Sequence, residues 1–453
     1  MKESFIRKYS AVSALLIVLL MTVLDVTIVN VALPGFAAEF NVSDAASVWV
    51  VSAYQLIITM TLLPLASLGD IYSYRKVLIT GIAAFTTSSL GCALADSFPM
   101  LLAMRVAQGL GGACIMGVNI ALTRCIYSPS DLPKGLALNA MVIAVATAAG
   151  PSLAGIILSI STWRWLFLIN VPFGIVAFIL AVRLLPGNTR PEGMKFDPVG
   201  ALQNMLVFGL IFIVLGNAAD GGNELLMACL FVVAVAAAFL YIRRQLHHSY
   251  PLFPVDLFRS KLYSLCILTN TSAFIAQNAA SIVLPFMFLK NLGYSELTAG
   301  LLMTPWPLAT AVMAPVAARY VGRFNPGKIA AFGMGVFCTG LLSLLCVTFF
   351  HTTPADIAWR MLLCGIGFGM YQTPNNVVMV SATPVERTGA AGGMQSTARL
   401  TGQTFGATVV TFIFSLSASG IWGVRCVIIF AAVFAAAASI FSVSRKNILR
   451  VAP

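Results

Sequence analysis

The chain has 453 residues, of which 59% are hydrophobic and only 9% charged. A water-soluble protein of that length cannot cover its surface with so few polar side chains, so a soluble globular domain is excluded. The formal charge of +12 raises a nucleic-acid partner as an alternative, which the placement of the basic residues removes below.

Fourteen apolar runs follow one another, at 11–34, 46–69, 77–96, 99–123, 135–160, 165–184, 199–219, 224–242, 262–288, 297–318, 328–350, 356–380, 389–415 and 421–443. Each is long enough to cross about 30 Å of hydrocarbon. They are continuously apolar and do not alternate, which predicts helices and not barrel strands. The expected fold class is an all-α polytopic membrane protein.

The first run follows "MKESFIRKYS", which has the charge of a signal-peptide leader. The run exceeds 20 residues and lacks a small-residue cleavage site, so it is read as a retained helix. Within it lies "LDVTIVNVALP", with Asp25 where the segment otherwise suits lipid. An acid at mid-bilayer costs about 2.5–3.5 kcal/mol on insertion scales, which marks Asp25 as a functional candidate. The second run carries Tyr54 and Gln55 and closes in "PLASLGDIYSYRK". The fourth carries Arg105 and "GLGG". Asp25 lies about 21 Å from the face at which its helix enters; Arg105, on a helix running the other way, lies about 9 Å below the opposite face. The two are at matching depth and are expected to share a cavity and to interact in at least one state. A carboxylate alternating between desolvation and a mobile cation can take up and release a proton. The alternative is a static ion pair that fixes helix packing.

The seventh and eighth runs are flanked by "PGNTRPEGMKFDP" and "RRQLHHSYPLFPVDLFRSK". The ninth carries Phe274, Gln277 and Asn278, the tenth Trp306 between Pro305 and Pro307, and the twelfth Tyr371, Gln372 and Asn375 with Pro374. These aromatic and polar residues are the substrate-binding candidates, with simple packing as their alternative; the prolines are expected to break helices beside the cavity. The thirteenth run adds Gln395 and Arg399, which either bonds helix carbonyls and neighbouring glutamines or faces the cavity and favours an anionic group. No phosphate-binding loop occurs, and "GLGG" and "GIGFG" lie inside apolar runs, where small residues let helices approach. The nine cysteines form no CxxC pair and the three histidines lie in loops, so no metal site, disulfide framework or enzyme constellation is expected.

Two ends of the chain resemble each other. Pro64 and Pro315 are 251 residues apart, Lys76 and Lys328 252, and Met141 and Met394 253. One offset shared by three matches indicates a duplicated six-helix unit with two helices inserted, at 1–190, 191–258 and 259–453. With fourteen crossings both termini and every even-numbered connection share one side. There lie 21 of the 27 Lys and Arg, including Arg75, Lys76, Arg190, Lys195, Arg387, Arg445, Lys446 and Arg450. The other six are Arg105, Arg164, Lys290, Arg360, Arg399 and Arg425. This split follows the positive-inside rule, places both termini in the cytoplasm, and accounts for the net charge without nucleic acid.

"LDVTIVNVALP" resembles the first-helix motif of the fourteen-helix drug:proton antiporter branch of the major facilitator superfamily. "RVAQGLGGA" (Arg105, Gln108, Gly109, Gly111, Gly112) resembles its fourth-helix motif, and "AGPSLAG" (Gly150, Pro151, Gly155) its antiporter motif. "WRWLFLINVPFG", with Asn170, "FDPVGALQN" and "PLFPVDLFRSK" resemble the segments around the sixth helix and the inserted pair. The motifs occur in order along essentially the whole chain. The resemblance implies two six-helix bundles plus two inserted helices, rocking around a midplane site, and proton coupling through Asp25 and Arg105. It also implies a conformational latch at Asp70, Arg75 and Lys76. That segment departs from the family pattern at Ala66, Ile71, Ser73 and Tyr74, and Asp70 is alternatively a plain interfacial charge. Ala146 and Ala154 stand where the antiporter motif often has glycine.

The function implied is export of amphipathic, cationic drugs, a multidrug efflux activity of the kind that gives antibiotic resistance. The same fold serving one metabolite, such as an amino acid or organic acid, is the rival. No cofactor is implied: the proton gradient supplies the energy. The partners are a small molecule, protons and the lipid of a bacterial inner membrane, for a monomer. Asp25 is the one clearly intramembrane carboxylate, so a single titrating site is expected.

Overall fold

Runs of apolar residues become helices in lipid because no water is present to satisfy backbone groups left outside an i to i−4 ladder. The ends are set by polar caps. The Ser43 side chain accepts from Ala46 N–H, Ser260 from Tyr263 N–H and Ser295 from Thr298 N–H. Thr353 and Asp356 cap each other's backbone reciprocally. The computed structural model describes residues 2–128, 131–187, 196–217, 224–247, 252–321, 323–350, 352–383, 388–417 and 420–445. The expected boundary at 190/191 lies outside these residues, as do Arg190, Lys195, His248, His351, Glu386, Arg387, Lys446 and Arg450.

The N-terminal group comprises α1 (Lys2–Glu39), α2 (Asp44–Ile71), α3 (Tyr74–Ala93), α4 (Phe98–Ile126), α5 (Leu132–Ile160), α6 (Arg164–Leu168) and α7 (Asn170–Leu184). A pair follows, α8 (Pro198–Asn217) and α9 (Glu224–His247). The C-terminal group comprises α10 (Lys261–Phe286), α11 (Glu296–Met303), α12 (Pro305–Val321), α13 (Pro326–Val347), α14 (Pro354–Ser381), α15 (Thr388–Ser417) and α16 (Ile421–Ser444).

Twelve of the described helices are long and apolar enough to cross a membrane, counting α6 with α7 and α11 with α12 as single spans. The protein is an integral membrane protein. Two of the fourteen expected spans are helical without meeting that standard. α8 runs Pro198–Asn217, of which Pro198–Val214 is the apolar stretch with described side chains, and α14 is long but carries Gln372, Thr373, Asn375 and Asn376. The expected proline breaks are found in part. The tenth run interrupts at Thr304, ahead of Pro305 and Pro307; a further irregularity that was not expected is the π turn over Met287–Asn291, which follows Pro285. Pro374 is carried inside an unbroken α14, which corrects its expected role.

Packing differs at the two ends of the bundle. Away from the termini one apolar cluster draws on both groups, with Ile28, Leu33, Phe36, Val48 and Val51 against Phe274, Val283, Phe286, Leu302 and Met303. Toward the termini the clusters separate. One holds Leu15, Val18, Leu78, Leu122 and Leu185 of the N-terminal group, and the other Tyr263, Cys266, Val378, Met379 and Met394 of the C-terminal group. The two groups are therefore joined at one end and separately cored at the other, except that Leu400 of α15 packs into the N-terminal cluster. Three close contacts pin the joined end. Lys290 pairs with Asp44, Ser152 and Thr304 share a hydrogen bond, and α5 meets α11 backbone to backbone at Gly155 and Gly300. A Cβ on Gly155 would lie 2.7 Å from the Glu296 carbonyl oxygen, so only glycine permits this approach.

The pair α8–α9 is clipped together by polar contacts. Asp197 Oδ1 accepts from Gly200 N–H at 2.9 Å and from Arg244 at 2.7 Å, while Tyr241 donates to Asn204 at 3.1 Å. Asn204 in turn donates to the Met60 carbonyl at 2.7 Å, which ties the pair to α2.

Candidate functional site

Asp25 sits midway along α1, and α2, α3, α4 and α7 supply its surroundings. Arg105 on α4 donates from Nη1 to Asp25 Oδ2 at 2.6 Å, and both side chains are fully buried. One turn on, Gln108 donates to Asp25 Oδ1 at 2.8 Å and accepts from Arg105 Nη1 at 2.6 Å. Gln108 also donates to Ser89 on α3, at 2.8 Å. Asn170, the first residue of α7, donates to Asp25 Oδ1 at 3.0 Å. The break between α6 and α7 turns it toward α1. The guanidinium is held further by the Val50 carbonyl, 2.8 Å from Arg105 Nε, and by the Tyr54 ring, 4.3 Å from its Cζ.

Three N–H groups thus converge on one carboxylate. Protonation turns an acceptor oxygen into a donor, so at least one of these bonds must then break and Arg105 loses its counter-charge. The arrangement can convert a proton into a change in how α1, α4 and α7 are held. In the described conformation Asp25 is only 1% exposed, so solvent has no direct access to its carboxylate. Arg105 and Asp25 were legible as a pair from their depth; Gln108, Asn170 and Tyr54 were not assigned to it. The spacing of Gln108 three residues after Arg105, on the same helix face, is the signal that could have found it.

Tyr54 is a substrate candidate that belongs to this network instead. Its hydroxyl is buried without a hydrogen-bond partner, while its ring face meets Arg105. Tyr54→Phe is therefore expected to leave stability unchanged or raise it by up to about 1 kcal/mol, since an unpaired polar group is removed. Tyr54→Leu is expected to lower it by about 0.5–2 kcal/mol through the lost cation–π contact. Thermal unfolding of the detergent-solubilised protein checks the sign of both.

The other candidates divide into packed and accessible sets. Trp306 lies tilted against Phe337 at 5.2 Å, and Phe274 and Tyr371 both lie against Phe368, at 5.4 and 5.5 Å; the three candidates are buried in the C-terminal group. Tyr371 donates to Asn270 at 2.9 Å. Asn375 accepts from Arg445 at 2.7 Å. Arg445, placed by charge among the residues flanking the last helix, is 0% exposed and also reaches Cys266 and Ser442. Gln55 and Asn278 bond each other across the two groups, at 3.2 and 3.4 Å. Gln277, Gln372, Gln395 and Arg399 are partly accessible, with Gln395 donating to Asn376 at 2.6 Å.

The remaining motif residues have local roles. Gly150 faces the Thr27 side chain on α1, and the Pro151 carbonyl meets Gly300. Asp70 accepts from Tyr74 at 2.5 Å, whereas Arg75 reaches the Val182 carbonyl and Lys76 is exposed. The structure therefore does not bring Asp70, Arg75 and Lys76 together in the described conformation. A groove of about 590 Å³ between α13, α14 and α16, lined by Lys328, Phe332, Gly335 and Val443, contains none of the candidates. No group of three or more metal-ligating side chains occurs among the described residues.

Residues 15–407 match the Major Facilitator Superfamily. The chain is 46% identical over 410 residues to "Uncharacterized transporter YebQ" of Escherichia coli strain K12, covering 90% of this chain and 89% of that protein. It is 29% identical over 395 residues to "Multidrug resistance protein Stp" of Mycobacterium tuberculosis strain CDC 1551, covering 86% of this chain and 73% of that one. In fold it is similar to the crystal structure of a POT family transporter in complex with a thioalcohol-conjugated peptide. That similarity has a TM-score of 0.75 at 13% identity over 96% of both chains.

Proposed function

The chain belongs to the Major Facilitator Superfamily, and from that premise we propose that it is a proton-coupled exporter of amphipathic compounds working by alternating access. The observation that carries this reading is the Asp25 carboxylate, buried at mid-membrane and bonded by Arg105, Gln108 and Asn170. In this mechanism protonation of Asp25 from outside releases part of that network, the two six-helix bundles rock about the midplane, and loss of the proton inward restores it. The bundles are residues 1–190 and 259–453, with 191–258 as the inserted pair and both termini in the cytoplasm of a bacterial inner membrane. The likeness to a protein named for multidrug resistance supports export of foreign compounds. Cationic substrates, implied by the resemblance, have no free partner at depth. Among the described residues Asp25 is the one carboxylate away from helix ends, and Arg105 occupies it.

The test uses the purified protein in proteoliposomes with an imposed pH gradient and two dyes of one xanthene framework, fluorescein and rhodamine 123. Gradient-dependent movement of either dye, abolished by a proton ionophore, is the expected result. Movement indifferent to the gradient, with no proton release when dye is added to the solubilised protein, overturns the reading.

A further inference from the structure

Among the described residues Arg399 is the one deep basic residue left without a partner. It lies eight residues into the span Ala391–Ser417, about 12 Å from its start. Among the described residues none forms a hydrogen bond, ion pair or ring contact with it. Three other arginines placed inside apolar runs do have such contacts: Arg105 holds Asp25, Arg360 the Ser343 carbonyl, and Arg425 Thr348.

The neighbours of Arg399 show where it points. Successive helix positions turn by about 100°. Ala398 packs into the apolar cluster of the C-terminal group, and Leu400 into that of the N-terminal group. Arg399 lies between them, over the seam where those clusters part. Gly392, Ser396, Arg399 and Gln403 follow one helix face at spacings of four, three and four, and all are partly exposed. The same face continues through Ala407 and Val410, which are 0% exposed. A Cβ at Gly392 or Gly393 would meet nothing within 4 Å. The stripe thus borders open space that closes above Gln403. There Asn278 donates to the Gln403 carbonyl at 2.6 Å, and Thr59 and Thr404 lie 2.9 Å apart.

A guanidinium held in low dielectric without an anion is costly, and it presents five donors in a planar fork that matches a carboxylate or phosphate. The acids on helices packed against α15 are engaged elsewhere: Asp44 with Lys290, Asp70 with Tyr74, and Asp356 with Thr353. We propose that Arg399 is the substrate-charge site, taking the carboxylate or phosphate of an amphipathic organic anion whose apolar body lies along the seam. The inference rests on the transport reading above and names its substrate class. It separates the two charges of the cycle, with the proton on α1 and the substrate anion on α15.

Fluorescence anisotropy of the detergent-solubilised protein tests it with fluorescein, which carries a carboxylate, and rhodamine 123, a cation. Wild type is expected to bind fluorescein more tightly than rhodamine 123. Arg399→Gln is expected to weaken fluorescein about 10–100-fold while leaving rhodamine 123 unchanged or tighter, with Arg399→Lys intermediate. Thermal unfolding of each variant confirms that it is folded. Equal affinities for the two dyes, no fluorescein binding by wild type, or an Arg399→Gln variant that binds fluorescein normally overturns the proposal. Gradient-driven transport of rhodamine 123 alone would overturn the anion site yet uphold export. Arg399-dependent binding of fluorescein without gradient-driven movement would do the reverse.

Discussion

Asp25→Asn is expected to abolish pH-driven transport, by at least about 100-fold, while the protein still inserts and binds dye. The amide keeps one acceptor oxygen for Gln108 or Asn170, but it neither titrates nor neutralises Arg105. Breaking a buried ion pair by removing one partner costs about 3–5 kcal/mol, because the survivor is left uncompensated. The single variant should therefore be destabilised as well as uncoupled. Asp25→Asn combined with Arg105→Gln separates the two effects, since it removes both charges and lets the amides bond each other. Its thermal midpoint is expected to recover most of the loss, while gradient-driven dye movement stays absent. Recovery of transport in the double variant would make the pair a packing device and remove Asp25 from the coupling step.

The second large effect is expected at Gly300. A side chain there would run into the Pro151 carbonyl and lie 3.0 Å from the Gly155 Cα, so the obstacle is backbone and cannot turn aside. Gly300→Val should cost the closed end about 1–3 kcal/mol without touching either separate cluster. That shifts the balance between closed and open forms by roughly 5–150-fold, because the penalty applies to only one of them. The expected result is more than tenfold slower transport and faster maleimide labelling of a Ser152→Cys reporter, whose native hydroxyl bonds Thr304 across the same contact. Unchanged labelling with normal transport would mean that α5 and α11 do not have to meet during the cycle.

Depth was legible in the sequence; rotation about each helix was not. Asp25 and Arg105 could be matched because residue counts along two apolar runs place them at one level. Asn170 reaches the same carboxylate only because the helix breaks after Leu168, and a break of that kind leaves a weak trace in a continuously apolar run. Trp306, Phe274 and Tyr371 mix aromatic with polar character, which looks the same in a packed interior as beside a cavity. Arg445 counted toward topology by its position, yet it is buried against Asn375, since net charge along a chain does not report burial. Membership of the superfamily is the part that needed no geometry, because the motifs stand in order. The twelfth apolar run is the least clear as a span because α14, though long, carries Gln372, Thr373, Asn375 and Asn376 in one stretch.

The helix pair clipped by Asp197 and Arg244 has a consequence for the routes by which lipid-dissolved molecules approach. α8 packs on both α2 and α15, so it lies across one of the two lines along which the N-terminal and C-terminal groups meet. The other line runs where α5 faces α12, and there the closest neighbour is α11, which is part of the same chain segment as α12. The inserted pair therefore covers the α2–α15 line, whereas the α5–α12 line is closed by the two groups' own helices. Substitutions that widen or block the α5–α12 flank should alter the handling of lipophilic compounds more than equivalent changes beside α8, and an added tag or label is best tolerated on the side of the inserted pair.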